Sequence, residues 1–256
     1  MTSVGPSVGW QLAVALVVLL ALALAAARIG RLPTGRRSLV ASARAAAQLA
    51  AAAVVIKVAF EHVWSAALFA VVMLAVATVT SAGRIEARAA WPWVAVALVT
   101  GVAPVEAIVF GTGSTDITPP AVVAISGIVI GGSMTACSLA VRRAVASLRA
   151  DRGQVEAALA LGLTRPLAIG LVIDRDRPEA LVPVLDQTRT VGLVTLPGAF
   201  VGVLLGGGST ADAAAAQVIV LVGLIAAETV TVVVATRLVA SGRILPSDVR
   251  DLLPPS

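Results

Sequence analysis

Residues 8–27 read VGWQLAVALVVLLALALAAA, a run of 20 residues without a charged side chain. A helix of this length rises about 30 Å, which matches the hydrocarbon core of a bilayer. The next ten residues, RIGRLPTGRR, contain four arginines, whereas residues 1–11 contain no basic side chain. A cleaved signal peptide would show the opposite order, with positive charge before the apolar run. We therefore predict a transmembrane helix whose N-terminus lies outside.

The composition of the whole chain excludes a soluble globular protein. Hydrophobic residues make up 59% of the 256 residues and charged residues 13%, against roughly 45–50% and about 25% in soluble proteins. One cysteine and one histidine cannot form a disulfide framework or a Cys/His zinc cluster within one chain. The chain has a net charge of +5, and all but one of its basic side chains are arginines. We expect this positive charge to orient the chain in the bilayer rather than to bind a nucleic acid.

Six further segments are apolar enough to cross the bilayer by the same argument. The first of them is interrupted by Arg44, Gln48 and Lys57, and the fifth is short and contains Pro197 and several glycines. In chain order the six segments are Leu39–Phe60, Trp64–Ala82, Trp91–Gly111, Pro119–Ala140, Val191–Gly207 and Ala213–Thr236.

The distribution of arginine supports a total of seven spans. With an outside N-terminus, all 18 arginines lie in or beside the inside segments, and the outside loops 61–63, 112–118 and 208–212 contain no arginine or lysine. One span more or fewer would break this segregation. We predict an all-α integral membrane protein of about seven transmembrane helices, with the N-terminus outside and the C-terminus cytoplasmic. It is expected to form a single domain over residues 1–256 in the plasma (inner) membrane.

One cytoplasmic segment, residues 141–190, is too long to be a simple connection. Its apolar positions Leu148, Val155, Leu159 and Leu163 have roughly helical spacing, and glycines and prolines divide it into short pieces. Thr164, which precedes Arg-Pro, is typical of a helix N-cap with proline in the first turn. We predict short amphipathic helices that either lie on the membrane surface or dock a soluble partner.

Within this segment, residues 156–162 read EAALALG. This resembles the EAA-x-x-x-G core of the coupling loop in ABC permeases, where a short helix, a turn at glycine and a second helix fit a groove on the ATPase. The alternative is an ordinary alanine-rich helix with a glycine C-cap. The candidate coupling residues are Glu156, Ala157, Ala158, Leu161 and Gly162.

Four blocks extend the resemblance over most of the chain. They are SARAAAQL (42–49), GIVIGGSM (127–134), EAALALG (156–162) and VGLVTLPG (191–198). Their order resembles the FetB-type iron-export ABC permeases, whose plant relatives are aluminium-resistance proteins. The resemblance implies a transmembrane permease subunit that exports a metal ion (iron-like) or another small solute and is driven by a separate ATPase, with residues 141–190 as its cytoplasmic coupling segment.

The chain departs from the family pattern at several polar positions. Gly132 and Thr135 stand where the family carries asparagines, and Arg142 stands where it carries a glutamate. Such side chains could face a substrate, so the resemblance implies the architecture more directly than the cargo.

The chain lacks the residues of a P-loop. That motif ends in Lys-Ser or Lys-Thr because the lysine pairs with the nucleotide phosphates, and the single lysine, Lys57, lies within VVIKV (54–58). We therefore expect no cofactor in this chain, with ATP bound by the partner subunit. Because pumps of this kind need two permease halves, a homodimer in the lipid bilayer is a further hypothesis.

Ionisable side chains within spans are costly and are candidates for function. Glu228 lies well inside the last span and could bind a cation or a proton. The alternative is a structural acid paired with an arginine such as Arg44, or with Thr229 and Thr231. Glu106 lies near the outer end of its span, where it could gate the outer mouth or extend to the interface.

Small and breaking residues mark further pathway or helix-packing candidates. Glycines at small-xxx-small spacing allow close packing in lipid, and they could also expose backbone carbonyls where a helix is broken. Met134 and Cys137 could offer soft metal ligands or simply fill the core, and we assign no metal site. These remaining candidates are Gly127, Gly131, Met134, Pro197, Gly198, Gly202 and Gln217.

Two other functions use different features of the chain. A secondary transporter driven by an ion gradient would use Glu228 as its coupling acid. An intramembrane enzyme is disfavoured because the chain has no HExxH or GxGD motif and its one histidine, His62, lies in an outside loop. We expect a transport protein rather than an enzyme.

Overall fold

The computed structural model describes residues 9–33 and 35–252, which are helical apart from their connections and one isolated bridge between Val191 and Thr195. The fold class is therefore confirmed as all-α. Two 3₁₀ turns, Arg88–Ala90 and Arg177–Ala180, accompany the α-helices. These are α1 (Trp10–Ile29), α2 (Gly35–Ala59), α3 (Val63–Arg84), α4 (Trp91–Gly111), α5 (Pro119–Ala150), α6 (Arg152–Ala160), α7 (Arg165–Ile173), α8 (Val182–Thr190), α9 (Gly198–Leu205), α10 (Thr210–Ala240) and α11 (Ser247–Leu252).

Six helical segments of the described residues are long and apolar enough to cross a membrane. They are α1, α2, α3, α4 with the 3₁₀ turn before it, α5 and α10. The remaining predicted segment, 191–207, which is the sixth in chain order, contains only α9, whose 8 residues rise about 12 Å. Pro197 at its N-cap has no backbone N–H and Gly192 has a φ of +80°, so the chain before α9 turns instead of continuing a helix. Six long helices and this interrupted segment agree with about seven spans.

The described residues 9–33 and 35–58 form one compact unit. It contains α1 and nearly all of α2, connected through Arg31, which has a φ of +51°. Helix α2 continues without a break through Arg44, Gln48 and Lys57, the polar residues that interrupt its apolar stretch in the sequence.

Residues 59–252 form the second unit, whose core lies between α3, α4, α5 and α10. Close approach of α4 and α10 depends on Gly101, since a β-carbon there would lie 2.0 Å from Thr231 Oγ1 and 2.6 Å from the carbonyl oxygen of Ala227. A hydrogen bond of 2.9 Å between the hydroxyls of Ser81 and Ser138 joins α3 to α5. With 32 and 31 residues, α5 and α10 are each more than 45 Å long and exceed the ~30 Å hydrocarbon core.

The arginine-rich end of α5 holds the short helices in place. Val155 of α6 and Ile169 of α7 are fully buried and belong to the same hydrophobic core as α5 and α10. The Ser147 hydroxyl donates a 2.5 Å hydrogen bond to Asp176, just after α7. Arg149 contacts Asp248 of α11 at 2.6 Å. These contacts fix the end of α5 to the segment that follows it and to α11.

Candidate functional site

A cavity of about 310 Å³ lies between α5, α8 and α10. Three polar side chains line it, one from each helix: Thr135, Gln187 and Glu228. The remaining lining is apolar or glycine, and includes Ile128 and Leu224. Three helices that are distant in the chain therefore converge on a space with one carboxylate, one amide and one hydroxyl.

Small side chains allow the 3₁₀ turn before α8 to approach α5. Ala180 of this turn packs with Ala136 and Ala140 of α5 and Val232 of α10, and all four are buried. Since these positions of α5 belong to its apolar stretch, the turn lies beside the predicted span Pro119–Ala140 rather than beyond its end, and α8 continues from it along α10. The coupling role of segment 141–190 stays a prediction, and its last helix contributes a wall of the cavity.

The Glu228 carboxylate occupies space that Gly132 leaves open. The side chain is 6% exposed, and a β-carbon at position 132 would lie 2.5 Å from Glu228 Oε1 and 2.4 Å from Leu224 Cδ1. Any other residue at position 132 would displace the acid or the leucine. Gly132, which departs from the family pattern, thus stands at a close approach of α5 and α10.

Glu228 has no partner in its own unit. Among the described residues of 59–252, no hydrogen bond or ion pair joins its carboxylate to another group. The predicted pairing with Thr231 is absent, because the Thr231 hydroxyl is buried without a partner and faces Gly101. The alternative pairing with Arg44 stays a prediction. A buried carboxylate without a hydrogen bond is costly, so the cavity side of Glu228 is the place where water or a cation would compensate its charge.

The other two polar side chains leave oxygen atoms available. The Thr135 hydroxyl donates a 3.0 Å hydrogen bond to the Gly131 carbonyl, so its lone pairs remain free to accept or to bind a cation. Gln187 is exposed on the cavity side of α8. Gln187 was not predicted as a site residue from the sequence, because it lies in a short polar helix without a motif and lines the cavity with Glu228 only through the packing of Ala180.

The predicted pathway candidates divide into two groups. Gly131 lines the cavity, whereas a β-carbon on Gly127 would lie 3.8 Å from Met73 Sδ of α3, and Met134 packs against the main core. The others that lie outside the cavity lining are Glu106 of α4, Gln217 of α10, Pro197 before α9, and Gly198 and Gly202 within α9. Glu106 and Gln217 each have one buried side-chain oxygen without a partner among the described residues.

The predicted coupling residues lie on a helical hairpin. Helix α6 ends before Leu161, Gly162 turns the chain with a φ of +86°, and α7 begins after Thr164. Val155 and Ala158 face the core, whereas Glu156 and Ala157 are exposed and Leu161 is 82% exposed at the tip.

Two leucines of α7 extend this apolar surface. Leu167 and Leu171 are exposed, while Ala168 and Ile169 between them are fully buried. The hairpin, defined as residues 152–173, therefore has one face in the core and an exposed apolar face formed by Leu161, Leu167 and Leu171.

The fold and the site define a multi-pass α-helical membrane protein with an unpaired buried acid at a cavity between helices. The chain belongs to the family described as an uncharacterised protein family, UPF0014, whose profile matches residues 9–243. The family inferred from the four sequence blocks is confirmed.

Named relatives support the same family. The chain is 33% identical over 144 residues to the UPF0014 membrane protein STAR2 of Oryza sativa subsp. japonica, covering 56% of this chain and 50% of the relative. It is 35% identical over 121 residues to Protein ALUMINUM SENSITIVE 3 of Arabidopsis thaliana, covering 47% and 44%. It is 28% identical over 140 residues to the Probable iron export permease protein FetB of Escherichia coli K12, covering 55% and 54%. The chain spans about half the length of these relatives, and no solved structure matches it.

Proposed function

We propose that this chain is the transmembrane permease subunit of an ABC transporter in the plasma (inner) membrane. It would export a metal ion or another small solute, work as a homodimer, and use ATP bound by a separate ATPase subunit. Family membership and the name of the E. coli relative, a probable iron export permease protein, support the direction and the cargo. The proposal assigns a transport role rather than an enzymatic one.

The observation that carries the proposal is the two-sided hairpin 152–173. Its exposed leucines offer an apolar contact to a soluble subunit, and such surfaces mark interaction sites on proteins. Its buried face is continuous with the core that contains α5 and α10. A force applied to the tip would therefore reach the long helices without passing through a flexible linker.

A second route connects the hairpin to the cavity. Helix α7 leads through Asp176 and the 3₁₀ turn 177–180 into α8, which carries Gln187. The turn is attached to α5 by the Ser147–Asp176 hydrogen bond and by an ion pair between Arg143 and Glu179. Movement of the hairpin relative to α5 would thus change the position of a cavity wall.

The test is co-purification of a tagged chain from its native membrane in mild detergent, combined with ATP-dependent transport in vesicles. Leu161→Asp places a charge on the docking surface, and we expect loss of the ATPase subunit and of transport. The matched control is Ile117→Asp, since Ile117 is an exposed apolar residue in the loop before α5, at the opposite end of that helix. Retention of the ATPase subunit by L161D, or no ATPase subunit with the unmodified chain, would contradict the proposal.

The unpaired Glu228 also favours a second candidate, a transporter driven by an ion gradient. In that case Glu228→Gln would abolish transport in vesicles that contain no ATPase, and L161D would have no effect. Dependence on ATP and on Leu161 together would exclude this alternative.

A further inference from the structure

The donor atoms at the cavity are of one chemical kind. Glu228, Thr135 and Gln187 offer a carboxylate, a hydroxyl and an amide oxygen. The one cysteine, Cys137, is fully buried away from the cavity, and Met134 packs in the main core. Oxygen ligands suit hard cations such as Mg²⁺, Ca²⁺ and Mn²⁺, whereas thiolate and thioether ligands select soft ones.

The charge of the site also points to a cation. Glu228 is buried and has no hydrogen bond or ion pair within the described residues of 59–252. Among the groups that line the cavity it is the one with a formal charge, and no arginine or lysine lines the cavity. An uncompensated carboxylate of this kind attracts a cation and repels an anionic solute.

The cavity is large relative to a bare ion. Its volume of about 310 Å³ is many times the roughly 10–15 Å³ of such space that one water molecule requires. A cation can therefore enter it together with several of its waters. The cavity offers the oxygens of three side chains, fewer than the six or more oxygen ligands that hard divalent cations bind, so retained waters would complete the coordination.

We infer that the cavity between α5, α8 and α10 is a transport site for a hard divalent cation that retains part of its hydration shell. Glu228 neutralises its charge, and Thr135 and Gln187 supply neutral oxygens from the two facing helices. Weak binding suits this role, because a transported ion must also leave its site. This inference deepens the proposed function by naming the cargo site and its chemistry. It rests on that function only for the claim that the bound cation is transported.

The test is Mn²⁺ binding to the purified full-length chain in lipid nanodiscs, without any ATPase, followed by electron paramagnetic resonance of free Mn²⁺. Binding in the range of about 10⁻⁴ M is expected, as for cation sites with few charged ligands. Glu228→Gln should weaken binding at least tenfold, whereas Glu61→Gln, which removes an exposed carboxylate from the loop before α3, should leave it unchanged. No binding by the unmodified chain, or equal binding by E228Q, would overturn the site.

The neutral ligands have their own matched control. Thr135→Val and Gln187→Ala should each weaken Mn²⁺ binding several-fold. Thr100→Val is the control for the first, because Thr100 is also an exposed threonine whose hydroxyl donates to the carbonyl four residues earlier. Equal affinities of T135V and T100V, with no effect of Q187A, would exclude the three-helix site.

A second measurement does not depend on how E228Q folds. Cys137→Ser produces a chain without cysteine, and it should bind Mn²⁺ unchanged if sulfur takes no part. Adding Thr135→Cys to this background places one reactive thiol at the cavity, and Mn²⁺ should slow its modification by a cationic methanethiosulfonate reagent. Loss of binding in C137S, or labelling of T135C that is independent of Mn²⁺, would overturn the inference. Because no ATPase is present, failure here is distinguishable from failure of the coupling proposal.

Discussion

A β-carbon on Gly132 would lie 2.5 Å from Oε1 of Glu228. The glycine in α5 and the acid in α10 are therefore complementary, and the Glu228 side chain can keep its observed position only while residue 132 has no side chain. The same contact brings α5 and α10 together at the cavity. Glycine at this position thus links helix packing to the candidate cation site.

Gly132→Ala is expected to destabilise the protein by about 1–3 kcal/mol, because the added methyl group must displace Glu228 or Leu224. Gly131→Ala is the control, since a β-carbon there meets no atom within 4 Å. Alanine at that helical position should be neutral or stabilising by up to ~1 kcal/mol. Thermal unfolding of the purified variants in detergent compares them, and equal effects of the two changes would contradict the close contact.

Gly101→Ala is expected to be at least as destabilising. Its added methyl group would meet the backbone oxygen of Ala227 at 2.6 Å as well as the Thr231 hydroxyl, and a helix backbone cannot rotate away as a side chain can. The control in the same helix is Gly111→Ala, where no atom lies within 4 Å of the new carbon. The same unfolding measurement applies. A G101A variant as stable as G111A would mean that α4 and α10 are not packed as described.

Two serines of α5 should respond to alanine in opposite directions. Ser133 is fully buried and its hydroxyl has no partner among the described residues, so Ser133→Ala should stabilise the protein by about 1 kcal/mol. Ser138 bonds to Ser81 and to the Met134 carbonyl, so Ser138→Ala should cost about 1 kcal/mol. The difference in the free energy of unfolding between the two variants tests this, and a change of the same sign in both would refute it.

Gly162→Ala tests the hairpin turn. The φ of +86° at this position is costly for a residue with a β-carbon, by about 1–2 kcal/mol, so the tip should rearrange. We expect less ATPase subunit to co-purify and slower ATP-driven transport. Gly153→Ala in α6 is the control, because no atom lies within 4 Å of its new carbon. If G162A and G153A retained the subunit equally, the geometry of the turn would not matter for docking.

The Ser147–Asp176 hydrogen bond predicts a pH dependence of stability. The Ser147 hydroxyl, and to a smaller extent the Arg175 guanidinium, lower the pKa of Asp176 below its usual value. Because the folded-state pKa lies below the unfolded one of about 3.9, this group stabilises the protein above that pH. The stabilisation is lost as the pH falls through the folded-state pKa.

Ser147→Ala should therefore reduce stability at neutral pH and lose its effect at low pH. Denaturant unfolding of the unmodified and S147A proteins between pH 7 and pH 2 measures the difference. A difference that stayed constant over this range would show that the hydrogen bond does not act on the ionisation of Asp176.

Much of the fold could be predicted because it depends on local properties of the chain. Long apolar runs determine where helices such as α1 and α10 lie, since the bilayer requires about 20 residues with internally satisfied backbone groups. The hairpin was also readable, because Gly162 and the Thr164-Arg-Pro sequence specify a turn and a helix start locally. The resemblance to known permeases added a function that hydropathy alone does not contain.

The sequence by itself thus determined the class of protein, the positions of the long helices and the family. Only the tertiary structure decided that the 3₁₀ turn 177–180 packs against α5, and that Gln187, Thr135 and Glu228 line one cavity. The physical reason is that these features depend on contacts between residues roughly 40 to 100 positions apart. The small side chains of Ala136 and Ala180 and the absent side chain of Gly132 allow those contacts, and no local pattern reveals which small residue will face which helix.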